Sequence, residues 1–276
     1  MEAFLIDIGG TKIKIAQLSN TDNTMKIFNT PKTSTEVVDT IVGYVEVLRS
    51  TKGENAEDIV IVGCPGLINK NGVVEKALYI PLAGFNLKKA LSERLKCKII
   101  LDNDANLQAL GLANEELLYI SIGTGVGGAF IYNGLPLRGH NNFACEFGHL
   151  NLNTNKKCLC GKEGCLDTVL SGKYFIDKFG TDWWNCEDNS EINDCIEFAG
   201  VKCGQAISQL AILYNPNEIV VAGKICSKHL FKVAVLENYN KNTWKPILDI
   251  RFELENFTSM INGAKKIITL GETYGL

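Results

Sequence analysis

Residues 4–18 read Phe4-Leu5-Ile6-Asp7-Ile8-Gly9-Gly10-Thr11-Lys12-Ile13-Lys14-Ile15-Ala16-Gln17-Leu18. The opening apolar run is the pattern of a buried strand, and from Lys12 polar and apolar residues alternate with period two, which is a second strand. Gly9-Gly10-Thr11 is therefore a turn inside a hairpin. A glycine turn leading into a helix would point to a dinucleotide fold. A glycine turn inside a hairpin sets backbone N–H groups beside the carboxylate of Asp7, which suits a triphosphate with a bound metal. An ordinary tight hairpin has the same pattern. The reading gains weight from a second copy: the strand Leu117–Ile122, then Gly123-Thr124-Gly125-Val126-Gly127-Gly128, then a strand from Ala129 to Tyr132 turning at Asn133-Gly134. Two strand–turn–strand units in one α/β chain suggest two related lobes facing one nucleotide.

Between the two hairpins, Thr33 to Ser50 reads as an amphipathic helix capped by Ser34 or Thr35. Ile59–Gly63 is a buried strand, Cys64-Pro65-Gly66-Leu67 a turn, and Asn71-Gly72 a hairpin tip. A helix from Leu87 to Lys96 precedes the strand Ile99-Ile100-Leu101, which ends in Asp102-Asn103-Asp104-Ala105-Asn106. Polar residues at the carboxyl end of a buried strand are where α/β folds place chemistry. They are equally what a helix N-cap calls for. Later segments read as a helix from Asp167 to Phe179, a polar surface excursion Asp182–Asn193 containing Trp183-Trp184, and a helix from Asn193 to Tyr214 with Ile196, Ala199, Cys203, Ile207, Leu210 and Leu213 inward. The strand Glu218–Gly223 follows, and a final helix opens at Asn262 and runs to about Gly271.

The densest chemistry lies in Glu146-Phe147-Gly148-His149 and Cys158-Leu159-Cys160-Gly161-Lys162-Glu163-Gly164-Cys165. Gly161 and Gly164 let the backbone fold tightly enough to aim three sulfurs inward. Three thiolates and the His149 imidazole make a closed tetrahedral Zn²⁺ site of the structural kind. The alternative is three free thiols in a loop.

The zinc array with its Glu-x-Gly-His lead, the string Asn103-Asp104-Ala105-Asn106 and the two Gly-Thr turns resemble, in order, the motifs of the ROK family of sugar kinases and sugar-responsive repressors. The resemblance covers essentially the whole chain. It implies an actin-like (ribonuclease H-like) two-lobed α/β fold with duplicated mixed sheets and a cleft between the lobes. The lobes are expected at residues 1–110 plus 262–276, the last helix packing back on the first lobe, and at 111–261 with the zinc knot. The same resemblance implies an ATP-dependent hexose kinase with Asp104 as general base. Gly66, Asn103, Glu146, His149 and Asp167 would meet the sugar, Asp167 standing where the family usually has Glu. Asp7, Gly9, Gly10, Thr11, Lys12, Gly123, Thr124, Gly125 and Gly223 would meet ATP and Mg²⁺. Gly223 is the single glycine where the family's adenosine loop usually has two or three. His149, Cys158, Cys160 and Cys165 would ligate Zn²⁺. Glucose or a related aldohexose is the first expected substrate, an N-acetylated hexosamine the second. The competing class is a non-catalytic sugar-sensing relative. Repressors of the family carry a DNA-reading domain ahead of the first strand, and here that strand begins at residue 4.

Composition narrows the setting. A length of 276 residues suits two lobes, and 46% hydrophobic residues suffice for two cores. A net charge of −3 gives no electrostatic reason for a nucleic-acid or anionic-membrane partner. No apolar run reaches spanning length. The N-terminus lacks the basic region of a signal peptide. Of the ten cysteines, three belong to the array, and Cys64, Cys195, Cys203 and Cys226 sit in apolar segments. A reducing cytoplasm is expected, and the family resemblance implies a homodimer.

Overall fold

A computed structural model describes residues 2–18, 24–49, 57–185, 189–244, 249–254 and 257–274. The chain forms two compact units: Met1–Leu112 with Arg138–Ala144 and Phe257–Leu276, and Ala113–Leu137 with Cys145–Asn256. The segment Arg138–Ala144, expected in the second lobe, thus belongs to the first unit, and the closing segment begins at 257.

In the first unit, β1 (Ala3–Ile8), β2 (Lys12–Leu18) and β3 (Thr24–Asn29) form an antiparallel meander. Helix α1 (Ser34–Arg49) leads to β4 (Ile59–Cys64), parallel to β1. A small sheet of β5 (Leu67–Ile68), β6 (Val73–Lys76) and β7 (Phe85–Asn86) intervenes before α2 (Leu87–Leu95) and β8 (Lys98–Asn103), which is parallel to β4. The strand order is β3-β2-β1-β4-β8. Phe4, Ile6, Ile8, Ile13 and Ile15 pack with Val37, Val38, Ile41, Val42 and Val45 of α1 and Leu87, Leu91 and Leu95 of α2. The cap of α1 is one residue earlier than expected. Thr33 Oγ1 accepts the Glu36 N–H at 3.3 Å and donates to Glu36 Oε2 at 2.8 Å, so Thr33 caps the helix and its hydroxyl is held by Glu36. The helix ends at Arg49, and Ser50 lies outside the described residues.

Helix α3 (Asp104–Leu112) follows β8 directly and packs on the closing helix Phe257–Leu270. The two backbones approach closely at glycines: a Cβ on Gly111 would lie 1.7 Å from the Ser259 carbonyl oxygen, and one on Gly263 would lie 2.0 Å from that of Leu107. The closing helix begins at Phe257, five residues before Asn262, because Ser259 and Met260 are buried by the same packing.

The second unit repeats the order. Strands β9 (Leu117–Ile122), β10 (Val126–Tyr132) and β11 (Leu135–Pro136) form the meander, with β12 (Ile219–Gly223) and β13 (Ile250–Glu253) parallel to β9, in the order β11-β10-β9-β12-β13. Its helices are α4 (Asp167–Leu170), α5 (Gly172–Phe179), α6 (Ser190–Tyr214) and α7 (His229–Asn242). The expected single helix Asp167–Phe179 is thus two, broken at Ser171, whose extended backbone (ψ 148°) caps α5. Trp183, expected on the surface, is buried against Phe175 with ring centroids 4.4 Å apart. Residues 186–188 of that excursion, including Cys186, lie outside the described residues. Leu213, expected inward on α6, is 73% exposed. Cys195 is not a buried hydrophobe: its sulfur lies 3.1 Å from Lys178 Nζ and 3.3 Å from Tyr174 Oη, whereas Cys64, Cys203 and Cys226 are buried. Among the described residues no helix is long and apolar enough to cross a membrane.

Candidate active site

In the first unit the β1–β2 turn is closed by Gly9 N–H on the Lys12 carbonyl at 2.8 Å and braced by Thr30, whose Oγ1 donates to the Gly9 carbonyl at 2.6 Å. Thr11 and Lys12 are exposed at its tip, and Lys12 Nζ donates to Asn29 Oδ1 at 2.6 Å. Asp7, opposite Lys14 in the ladder, is buried and accepts from Lys14 Nζ at 2.9 Å. Lys14 was not singled out in the sequence. Its signal was available, since period two puts residues 12 and 14 on one face.

At the end of β8, Asn103 and Asp104 are half-buried. Asn103 Oδ1 and Asp104 Oδ1 both accept the Ala105 N–H, at 2.9 and 3.0 Å. Asn103 Nδ2 donates to the Gly66 carbonyl at 3.3 Å. Gly66 needs to be glycine: its φ is +110°, and a Cβ there would lie 2.3 Å from the Lys76 carbonyl oxygen. The cap geometry is therefore present, and Asn103 shares it, leaving Asp104 as the first residue of α3. The thiol of Cys64 is pushed well above its ordinary pKa, first by complete burial and then by the charges of Asp104 and Asp7. Those two carboxylates thus act on one spot beneath the ends of β1, β4 and β8.

In the second unit, the β9–β10 turn is closed by Gly123 N–H on the Gly125 carbonyl at 3.0 Å. The carbonyls of Gly123 and Thr124 accept the N–H groups of Gly172 and Lys173 at the head of α5, at 2.9 and 3.0 Å. The buried Asp167 accepts the Val126 N–H on Oδ1 at 2.7 Å. Asp167 therefore braces the residue that follows the turn. Asp167→Ala is expected to leave that buried N–H unpaired and to lower stability by about 1–3 kcal/mol, measured by thermal or urea denaturation. Gly223, at the end of β12, has φ +151°, and a Cβ there would lie 2.4 Å from the Ile122 carbonyl oxygen. Beyond it Lys224 Nζ sits 3.3 Å over the ring of Trp184, a cation–π contact in place of further glycines.

Glu146 precedes a single 3₁₀ turn, Phe147–His149, and its carboxyl is pushed up to about 7 by burial. His149, Cys158, Cys160 and Cys165 converge, with one ligand atom from each lying within 4.8 Å of all the others. Cys160 Sγ and Cys165 Sγ are 3.7 Å apart, and Cys158 Sγ is 3.8 Å from His149 Nδ1. Zinc–sulfur bonds of about 2.3 Å at tetrahedral angles separate sulfurs by about 3.8 Å, so the donor set fits such an ion. The Cys160 N–H approaches Cys158 Sγ at 3.5 Å, a backbone donor to the sulfur. Gly161 and Gly164 carry φ of +95° and +89°, the conformations the tight fold of this loop requires. Burial pushes the Cys165 thiol up to about 12, a proton that a bound cation would displace.

Sequence reading quoted Asp102 at the end of its strand without giving it a role and missed Arg138 and Tyr274; the three meet beside Asn103 and Asp104.

Two duplicated mixed sheets, each with a Gly-Thr turn between its first strands, make up the α/β frame on which these residues stand. The sequence pattern of the ROK family matches residues 4–255, and the chain belongs to that family. A glucokinase of Halalkalibacterium halodurans is 28% identical across 98% of this chain and 91% of its own length. An N-acetyl-D-glucosamine kinase of Salmonella arizonae is 32% identical over 61% of this chain and 62% of its own length. In fold, the chain is similar to a ROK family glucokinase from Streptomyces griseus solved in complex with glucose and AMPPNP, with TM-score 0.78 at 21% identity, covering 96% of this chain and 99% of that one.

Proposed function

We propose that the chain is an ATP-dependent hexose kinase that transfers the γ-phosphoryl of ATP to a sugar hydroxyl, with O6 of glucose or a related aldohexose ranked first and an N-acetylated hexosamine second. The observation that carries this reading is the repetition of one arrangement: turns 9–11 and 123–125 occupy the same place in two sheets of the same order. A carboxylate, Asp104, opens the helix after the last strand of one of them.

Asp104 accepts the proton of the sugar hydroxyl as its oxygen bonds to the γ-phosphorus and the bond to ADP breaks. A positioned base contributes about 10²–10⁴-fold. Gly9, Gly10, Thr11 and Lys12 from one turn, and Gly123, Thr124 and Gly125 from the other, bind the phosphates, while Gly223 lies toward the adenosine. Asp7 would hold the Mg²⁺ that accompanies ATP and neutralises charge on the transferred group. Gly66, Asn103, Glu146, His149 and Asp167 hold the sugar, Asp167 through a bridging water. His149, Cys158, Cys160 and Cys165 would hold Zn²⁺ in a structural role. His149 Nδ1 lies 3.8 Å from Cys158 Sγ, as expected of two donors to one ion. A cytoplasmic homodimer completes the proposal. Among the described residues no cysteine is in a disulfide, which supports the reducing setting.

The test is ADP release coupled to a panel of hexoses with ATP and Mg²⁺. Glucose is expected to give the highest kcat/KM, with N-acetylglucosamine or N-acetylmannosamine next. No hexose-dependent ADP from any sugar would leave a sugar-sensing protein.

A further inference from the structure

We infer that Asp102, Arg138 and Tyr274 form a positioning network that fixes the Asn103–Asp104 pair at the head of α3. Asp102 is the last buried residue of β8 and its carboxylate receives four donors. Oδ1 accepts the Asn103 N–H at 2.7 Å and Asn106 Nδ2 at 2.8 Å, and Oδ2 accepts Arg138 Nη2 at 2.6 Å and Tyr274 Oη at 2.6 Å. Two of these donors flank the proposed base in sequence. The other two come from 36 and 172 residues away. Arg138 lies 4.4 Å from the centre of the Tyr274 ring, and its Nη1 donates to the Tyr274 carbonyl at 3.4 Å. The guanidinium thus binds the tyrosine by face and by carbonyl while it grips the carboxylate.

Holding an ion pair in a buried setting gives little net stability, since the desolvation of two charges offsets their attraction. Apolar residues of similar volume would fill the same space. What the charged set supplies is direction. With both Asp102 oxygens saturated, the carboxylate has one orientation, and through the Asn103 N–H that orientation sets the peptide that leads into Asn103, one residue before Asp104. Burial and the charge of Asp102 push the Tyr274 hydroxyl well above its ordinary pKa, which keeps it a donor. A Cβ on Gly63 would lie 3.5 Å from the Asp104 Cα and 2.8 Å from Met260 Cε, so β4 comes close to the backbone of Asp104 at this glycine. The network is composed of residues that touch neither sugar nor phosphate in the proposed reading. They act through Asp104, and the inference rests on Asp104 being the base.

The experiment is steady-state kinetics on Tyr274→Phe, which keeps the ring and removes only the hydroxyl. The expected result is a fall in kcat of about tenfold with the ATP KM within about twofold, because a small misplacement of a reacting group lowers turnover, and a hexose KM that rises less than kcat falls, because Asn103 shifts with it. Arg138→Lys, which keeps the charge and loses the forked contact, is expected to show the same split. Unchanged kcat with a lowered melting temperature in both variants would make the network structural and overturn the inference. If neither variant folds, the network is a folding element and the inference also falls. Asp104→Asn measured alongside separates the two levels. If it is inactive while Tyr274→Phe turns over normally, only the network fails. If it is active, the base assignment has failed first.

Discussion

Asp104→Asn is expected to reduce phosphoryl transfer by about 10²–10⁴-fold while sugar affinity stays within about twofold. The substitution is close to isosteric, and the local contact survives it: Asp104 Oδ1 accepts the Ala105 N–H at 3.0 Å, and an asparagine Oδ1 accepts the same donor. Asn103 also caps that N–H, so the head of α3 does not depend on residue 104 alone. What disappears is the proton acceptor. The loss should therefore fall on kcat, leaving the melting temperature and the sugar dissociation constant near those of the wild type. A 10²-fold loss corresponds to about 2.7 kcal/mol of barrier. Retention of more than about a tenth of wild-type turnover would remove Asp104 from the mechanism and return it to the helix-cap role that its geometry also satisfies.

The features legible in the sequence are those written locally. The β1–β2 and β9–β10 hairpins follow from apolar runs interrupted by glycine turns, and their bounds in the structure differ from the reading by at most a few residues. The four metal-competent side chains lie within seventeen residues, so their convergence needs only a tight loop. What stayed hidden is decided by distant partners. The break at Ser171 arises because the Gly172 and Lys173 N–H groups bind the carbonyls of Gly123 and Thr124, which no local pattern around 171 announces. Asp167 reads as a helix start or a ligand, and its bond to Val126 joins positions 41 apart. Arg138 lies in a segment flanked on both sides by the second unit, yet belongs to the first. Tyr274 follows the closing helix, where sequence alone suggests only an end. Trp183 looked like a surface residue because its neighbours are polar, but Phe175 covers it.

Loss of the metal knot should carry the other large effect. Native protein is expected to contain one zinc per chain, and Cys160→Ser should lose it. A site whose ligand is present at a thousand times its dissociation constant adds about 4 kcal/mol to stability. For a chain of this size that corresponds to a fall of roughly 10 °C in melting temperature. The effect should extend beyond the loop. The Leu152 N–H binds the Gly164 carbonyl at 2.8 Å and the Leu166 N–H binds that of Leu150 at 3.0 Å, tying the knot to the strand-like segment after His149. Cys165 stands two residues before Asp167, which holds Val126 at the β9–β10 turn, and a Cβ on Gly148 would lie 2.2 Å from the Val126 carbonyl oxygen. Both flanks of the knot therefore meet Val126, the residue that follows the second Gly-Thr turn. Removing the metal with a chelator should raise the KM for ATP as well as for the sugar, and adding zinc back should restore both. A Cys160→Ser protein that loses sugar affinity alone would confine the knot to the Glu146–His149 loop. Native protein with no metal, and with every thiol titrating freely, would rule out the zinc assignment.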